Sequence, residues 1–396
     1  MLEFDEALAM ILRAAPTLAR ESVTLDEALG RVLAEDLSAP SALPAFDYSA
    51  MDGYAVDIVE FDAGERVELP VRGESRAGAD VPRLLAGSAC RVFTGAPIPL
   101  GANAVVMQEN VAREDDRALF SSKPRAGDHI RRAGEDLERG ALGLAAGTRL
   151  GPFQVGLAAA LDRDRVTVSQ RPRVTILCTG DELRAPGTVG SAASIPDCNG
   201  PALRALARIA GAEARILGHT IDTLEATRAA IERALIDCDL LLTVGGVSVG
   251  EHDLVRVALE AVGVGLQFWK VRIKPGKPLV FGRKGSTCVL GLPGNPVSAQ
   301  ITFALFGVPL VRKMLGDRQV VPRRDRARLA SALHQKPGRL GFYRARLEGD
   351  VAHIASNQAS GSPVSLACAD ALVLVPADSE GYEAGASVEF IRLSEL

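Results

Sequence analysis

Three glycine-containing stretches each follow a short apolar run: "CTGDEL" (178–183), "TVGGVSVGEHD" (243–253) and "GLPGNP" (291–296). The first two carry the acids Asp181, Glu182, Glu251 and Asp253. Glycine lets backbone N–H groups approach a ligand closely, and a helix that starts just after such a loop adds partial positive charge. A fourth stretch, "RIKPGKP" (272–278), adds Lys274 and Lys277, held on a turn by prolines. Carboxylates beside an anion-binding backbone suit a bridging Mg²⁺, whose usual partners are one or two carboxylates and phosphate oxygens. Residue chemistry alone therefore reaches a phosphorylated or oxyanionic ligand held with Mg²⁺.

Other chemistries fit less well. "GVSVG" (246–250) has the G-x-S-x-G spacing of a hydrolase nucleophile elbow. No H-G-G-G-type segment accompanies it, His252 is too near in sequence to serve as a triad base, and His334 and His353 fall in a C-terminal β-like stretch. The Walker pattern G-x-x-x-x-G-K-[ST] is missing, as is H-E-x-x-H. The six cysteines (90, 178, 198, 238, 288 and 368) form no C-x-x-C pair. They read as reduced, mostly buried small residues.

The elements that must carry these loops begin near residue 172. "RVTILC", "EARILG", "CDLLLTV" and "CVLGL" read as strands. "PALRALARIAG", "DTLEATRAAIERALID", "DLVRVALEAVG" and "NPVSAQITFALFGVPLVRKMLG" read as helices, with Asn199, Asp222 (beside Glu225) and Asn295 as cap candidates. Continuous apolar strands alternating with amphipathic helices predict a doubly wound parallel sheet covered on both faces. Ligands bind such sheets beyond the carboxyl ends of the strands, where the glycine loops fall. Residues 1–40 read as helical, with Thr24 and Glu27 as a capping box. Residues 45–140 are short apolar runs broken by Gly, Pro and Asp, an all-β texture that returns after "VVPRRDRARL".

The chain's 396 residues allow two to four domains. A net charge of −4 argues against a nucleic-acid partner. The acidic start "MLEFDEALAM" lacks a signal peptide's basic region, and no apolar run approaches the roughly 18 residues of a membrane span. A soluble, cytoplasmic protein with no membrane partner is expected.

The motifs "SAMDGYAV", "FTGAPIP", "GED", "TGDEL", "GGVSVGEHD", "IKPGKP" and "GLPGNPVSA" occur in this order. The ordered set resembles the molybdopterin molybdenumtransferases, the family of MoeA and the gephyrin E domain, over essentially the whole chain. The resemblance implies insertion of molybdate into adenylylated molybdopterin, with Mg²⁺-dependent pyrophosphate hydrolysis and release of AMP. It implies a homodimer of four-domain subunits supplied by a molybdopterin adenylyltransferase. The division it suggests is 1–44 with 141–171 (helical), 45–140 (inserted β), 172–318 (molybdopterin-binding α/β) and 319–396 (C-terminal β).

Carried over residue by residue, the resemblance points to Asp52, Thr94, Asp136, Glu182, Asp222, Asp253, Lys270, Lys274, Pro293 and Pro296. It places Asp52 on a turn offered across the dimer interface, with Met51 and Tyr54 as packing anchors. Glu182 and Asp253 are expected to hold Mg²⁺ or orient water, and Lys274, helped by Lys277, to neutralise phosphate or molybdate. Gly245, Gly246, Ser248 and Asn295 are expected to cradle phosphates. Arg132, beside Arg131, would face an anionic substrate, and Ser360, Ser362 and Ser365 could reach a ligand. Tyr48, Cys178 and Cys198 depart from the family's common residues without removing a charged group. The competing reading is a non-catalytic molybdopterin-binding or scaffolding paralogue.

Overall fold

The computed structural model describes residues 1–396 apart from 63, 65 and 247–253. Its centre is a six-stranded sheet in the order Glu213–Thr220, Arg173–Thr179, Leu240–Val244, Thr287–Leu292, Val280–Lys284, Gly265–Phe268. The first four strands are parallel. The last two, missed in the sequence reading, run antiparallel and close one edge. They escape notice because "GLQF" is short and half-exposed and "VFGRK" turns polar towards its end.

Strand alternation assigns the two faces. Val174, Ile176, Leu240 and Leu242 pack with Leu203, Ala207, Val297 and Phe303 on one side. Leu177, Leu241 and Val289 pack with Ile231, Val255 and Leu259 on the other. Both faces are thus buried under helices, as the unbroken apolar strands require. The helix after "GLPGN" runs through Pro296–Thr302, a π turn over Phe303–Gly307, and Val308–Met314. Pro309 has no N–H for the carbonyl four residues back and its ring crowds that position, so the local widening has a covalent cause.

Residues 1–40 hold less helix than expected. Phe4–Arg13 is helical and packs into the central core, with the Phe4 ring 5.0 Å from Phe306 and 5.6 Å from Phe342. The Thr24–Glu27 capping box forms, but its helix is a single turn, Leu25–Ala28. Gly30 ends it at φ +76°, and Arg20–Thr24 is a strand paired with Arg165–Ser169. The β texture of 45–140 becomes a six-stranded sheet that contains Gly53–Val56 and Ala89–Val92.

The C-terminal strands close on themselves. Leu340–Glu348 pairs with Val351–Ile354 and Ala371–Val375, and the ring is completed through Asp325–Leu329 and Ser387–Arg392. Ile273–Lys274 joins Leu340 and Gly341 in parallel. The "KPGKP" loop is thereby stitched to the barrel wall.

Candidate active site

Strand register aligns the loops. Cys178 lies opposite Val244, Val244 opposite Leu292, and Thr179 opposite Thr220. The chain leaves the sheet at one level in four places, and a cavity of 440 Å³ opens there. Glu182, Asp197, Asn199, Asp222, Gly245, Gly246, Pro293, Asn295 and Pro296 are among its lining residues.

Glu182 occupies this rim with no cation or donor on its carboxylate among the described residues. Gly180 makes room for it: at φ +147°, a Cβ there would lie 2.6 Å from Glu182 Oε2. Asp222 is not the helix cap. Thr223 takes that role for Leu224–Ala234, its hydroxyl accepting from Ala226 N at 3.3 Å. Asp222 is therefore left to the cavity, while its own N–H donates to Asp181 Oδ1 at 3.0 Å. Burial, then the charges of Asp181 and Glu182, hold its carboxyl above the usual carboxylate range.

That shift makes a prediction. A raised folded pKa means that protonated Asp222 favours the fold; this contribution is complete below the ordinary carboxylate pKa of roughly 4 and is lost as pH rises through the raised value. Asp222→Asn should therefore melt slightly higher than the parent at pH 7, with the difference vanishing below about pH 4. Thermal melts across that range check it, and an equal or lower melting point at pH 7 would refute the cause given.

Asn199 is likewise not the cap expected. Asp197 Oδ1 accepts from Asn199 N at 2.9 Å and Gly200 N at 3.1 Å. Its Oδ2 sits 3.1 Å from His219 Nε2. The Asn199 side chain instead donates from Nδ2 to Gly294 O at 2.8 Å, tying the helix to the 291–296 loop. The phosphate-cradle reading of the amides is only partly available. Gly245 N donates to Leu292 O, and Val297 N, in the first turn after Asn295, donates to Ser360 O.

A second cavity, of 300 Å³, shares Pro278 with the first and lies between the sheet domain and the barrel. Lys274, Lys277, Arg339, Arg344, Ser298 and Ser360 line it, and no carboxylate does among the described residues. Lys274 Nζ sits 5.6 Å over the Tyr343 ring. Arg344 is fully buried, at 0% exposure. Its Nη2 donates to Asn357 O at 3.0 Å and Ala359 O at 3.2 Å, while Nε and Nη1 have no partner among the described residues. Burial pushes its pKa below the ordinary arginine value. A buried cation without an anion is costly, so this cavity is built for an incoming anion.

The remaining candidates lie elsewhere. Asp52 Oδ1 accepts from Thr94 N at 2.7 Å and Thr94 Oγ1 at 2.9 Å, bonds that hold its carboxyl below the usual range. Gly53 permits that turn, since a Cβ would meet Val106 O at 2.1 Å. Tyr54 is buried as expected, whereas Met51 is 42% exposed within this chain. Asp136 accepts from Arg131, and Arg132 pairs with Asp47 at 2.6 Å, so both arginines already have acids. Asp52, Thr94, Asp136, Arg132 and Lys270 line neither of the two cavities. Ser360 lines the basic cavity, whereas Ser362 and Ser365 bond within their own loop. Ser248 and Asp253, with Glu251 and His252, lie outside the described residues.

Three family models match the chain in order. They are described as the MoeA N-terminal region (domain I and II) over residues 2–161, a probable molybdopterin binding domain over 175–313, and the MoeA C-terminal region (domain IV) over 326–393. A molybdopterin molybdenumtransferase of Haemophilus influenzae is 39% identical over 348 residues, covering 87% of this chain and 85% of that protein. The chain belongs to the molybdopterin molybdenumtransferase family. A second family member, molybdopterin molybdenumtransferase 2 of Mycobacterium tuberculosis, is 35% identical over 401 residues, with 98% of each chain covered. The molybdopterin biosynthesis MoeA protein of Pyrococcus horikoshii OT3 has the same fold, with a TM-score of 0.87, 32% identity, and coverage of 99% of this chain and 100% of that one. Among the described residues, no helix of this family member is long and apolar enough to cross a membrane.

The sequence reading missed Arg344, Arg339, Ser298 and Asp197. Asp197 was legible as an acid two residues before a helix start. The others gather only when the barrel closes against the "KPGKP" loop.

Proposed function

We propose that this chain inserts molybdate into adenylylated molybdopterin and releases AMP, as the last step of molybdenum cofactor biosynthesis. The pairing of the two cavities across Pro278, one acidic and one cationic with a buried unpaired arginine, carries the reading. The pterin ester would lie along the sheet rim. Molybdate, a tetrahedral dianion, would sit as substrate among Lys274, Lys277, Arg344, Ser298 and Ser360. Arg344 brings its buried positive charge, with Nε and Nη1 unpartnered among the described residues, and the lysines act as point charges.

The acidic rim fits Mg²⁺. The neighbouring acids that raise Asp222 are a repulsion a cation would relieve, and two carboxylates are what Mg²⁺ keeps when phosphates supply the rest. Glu182 and Asp222 would hold the ion, with Asp253 as expected from the sequence; when bound it would neutralise charge building at the pyrophosphate. Glu182, with no partner among the described residues, would hold the ion or orient the attacking water. Phosphoryl chemistry of this kind needs positioning and charge neutralisation and no nucleophilic side chain. The Asp52–Thr94 pair, outside both cavities and next in sequence to the exposed Met51, would face a partner's cleft in a homodimer, which would work in the cytoplasm. The substrate would come from a molybdopterin adenylyltransferase.

The test is AMP release from adenylylated molybdopterin, with and without molybdate and Mg²⁺. Release that requires both is expected. Tight binding without AMP release would instead assign the chain to non-catalytic binding.

A further inference from the structure

We propose that Asn199 reads the ring system of the substrate: its Oδ1 accepts a hydrogen bond from an N–H group of a fused heteroaromatic base in the acidic cavity. The inference rests on the functional reading above and deepens it. Asn199 lines the cavity and is 7% exposed. Its amide orientation is fixed by chemistry. Gly294 O, 2.8 Å away, can only accept, so the NH₂ group must face it and Oδ1 must point elsewhere. That oxygen is buried and has no partner among the described residues. A buried acceptor left unpaired is destabilising, and such groups in native folds usually meet a partner that the bare protein does not supply.

The surroundings narrow what that partner is. The backbone donors at this helix start, Asn199 N and Gly200 N, are both taken by Asp197 Oδ1, and Asp197 Oδ2 is engaged with His219. The other charged side chains lining the cavity, Glu182 and Asp222, are acceptors when ionised. With both assigned to the cation, Asn199 Oδ1 is the acceptor left for the base, and it asks for an N–H donor on the ligand's edge. The aminopyrimidine edge of a pterin and the amino group of adenine both have this chemistry, and the reaction's substrate carries one of each.

The experiment is anaerobic binding of metal-free molybdopterin and, separately, of AMP to the parent protein and to Asn199→Ala, with the melting temperature of each protein recorded. The variant should lose between about 5- and 150-fold in affinity for one ligand, the range for leaving one buried group unpaired, and stay within about 2-fold for the other. Selective loss for molybdopterin puts the pterin at Asn199; selective loss for AMP puts adenine there. Equal loss for both, as expected if the side chain only ties Gly294 in place, overturns the proposal, and so does loss for neither. Should Asn199→Ala fail to fold, Asn199→Ser is read by the same ratio. A parent protein that binds neither ligand overturns the functional reading and this inference with it. A parent that binds both and releases AMP, beside a variant without selectivity, overturns the inference alone.

Discussion

Replacing Arg344 with methionine is expected to abolish molybdate-dependent AMP release while leaving a folded protein. The guanidinium is fully buried and, among the described residues, meets no carboxylate and has two nitrogens without partners. Its electrostatic cost in the free protein is therefore large, and an anion in the cavity would offset it. Methionine fills a similar length without the charge. The loss is two hydrogen bonds, to Asn357 O and Ala359 O, each carbonyl costing about 1–3 kcal/mol if it stays dry. The gain is relief from a buried uncompensated charge. The two roughly oppose, so the variant should melt within a few degrees of the parent.

Function has no such compensation. Removing one partner of a buried ion pair costs about 3–5 kcal/mol, which is on the order of 10²–10⁴-fold in molybdate-dependent turnover. Arg344→Lys should fall between, because it keeps the charge but not the planar guanidinium that also bonds Asn357 O and Ala359 O. Thermal shift gives an independent readout. Molybdate at 100 times its Kd should stabilise the parent by about 2.7 kcal/mol and leave Arg344→Met unmoved. A methionine variant that kept both the shift and the turnover would show that the oxyanion binds elsewhere.

The contrast between Arg344 and the rim loops shows what the sequence could reveal. "CTGDEL" and "GLPGNP" were legible as ligand loops because the strand-end rule needs only local periodicity and glycine placement. Arg344 sits in "GFYRARLEG", where alternation gives a strand and nothing marks one arginine above its neighbour at 346. Its meaning comes from tertiary closure, when Leu340 and Gly341 pair with Ile273 and Lys274 and the barrel wall meets the lysine loop. Asp222 and Asn199 show a subtler failure. Both residue types cap helices well, so capping absorbed Asn199 and competed with the site reading of Asp222, yet Thr223 and Asp197 perform it. Cap residues cluster at helix starts, and so do ligand-binding groups in α/β folds; residue type alone does not divide the two duties. Arg131, Arg132 and Asp136 show the opposite difficulty. Their charges looked available but pair locally with one another and with Asp47 and Glu135.

Glu182→Gln is expected to lower turnover on the order of 10²–10³-fold with an unchanged melting temperature, the usual range for losing a positioned acid or base. The side chain lies on the cavity rim and its charge supports no described residue; it only adds to the repulsion that raises Asp222, so losing it does not destabilise the fold. The amide has the same shape, so Gly180 still makes room for it. A structural role would therefore predict no loss at all. Gly180→Ala separates charge from position. Its Cβ would sit 2.6 Å from Glu182 Oε2, and since the carboxylate is the flexible end of its chain, the acid must swing away with its charge intact. The φ of +147° adds backbone strain, so this variant should also melt lower. If Glu182 acts by aiming water or metal at the pyrophosphate, moving it should cost nearly as much turnover as neutralising it. If it only sets the cavity's potential, Gly180→Ala should stay close to the parent while Glu182→Gln falls. Full turnover in both variants would remove Glu182 from the chemistry and leave the rim to its backbone amides and Asp222.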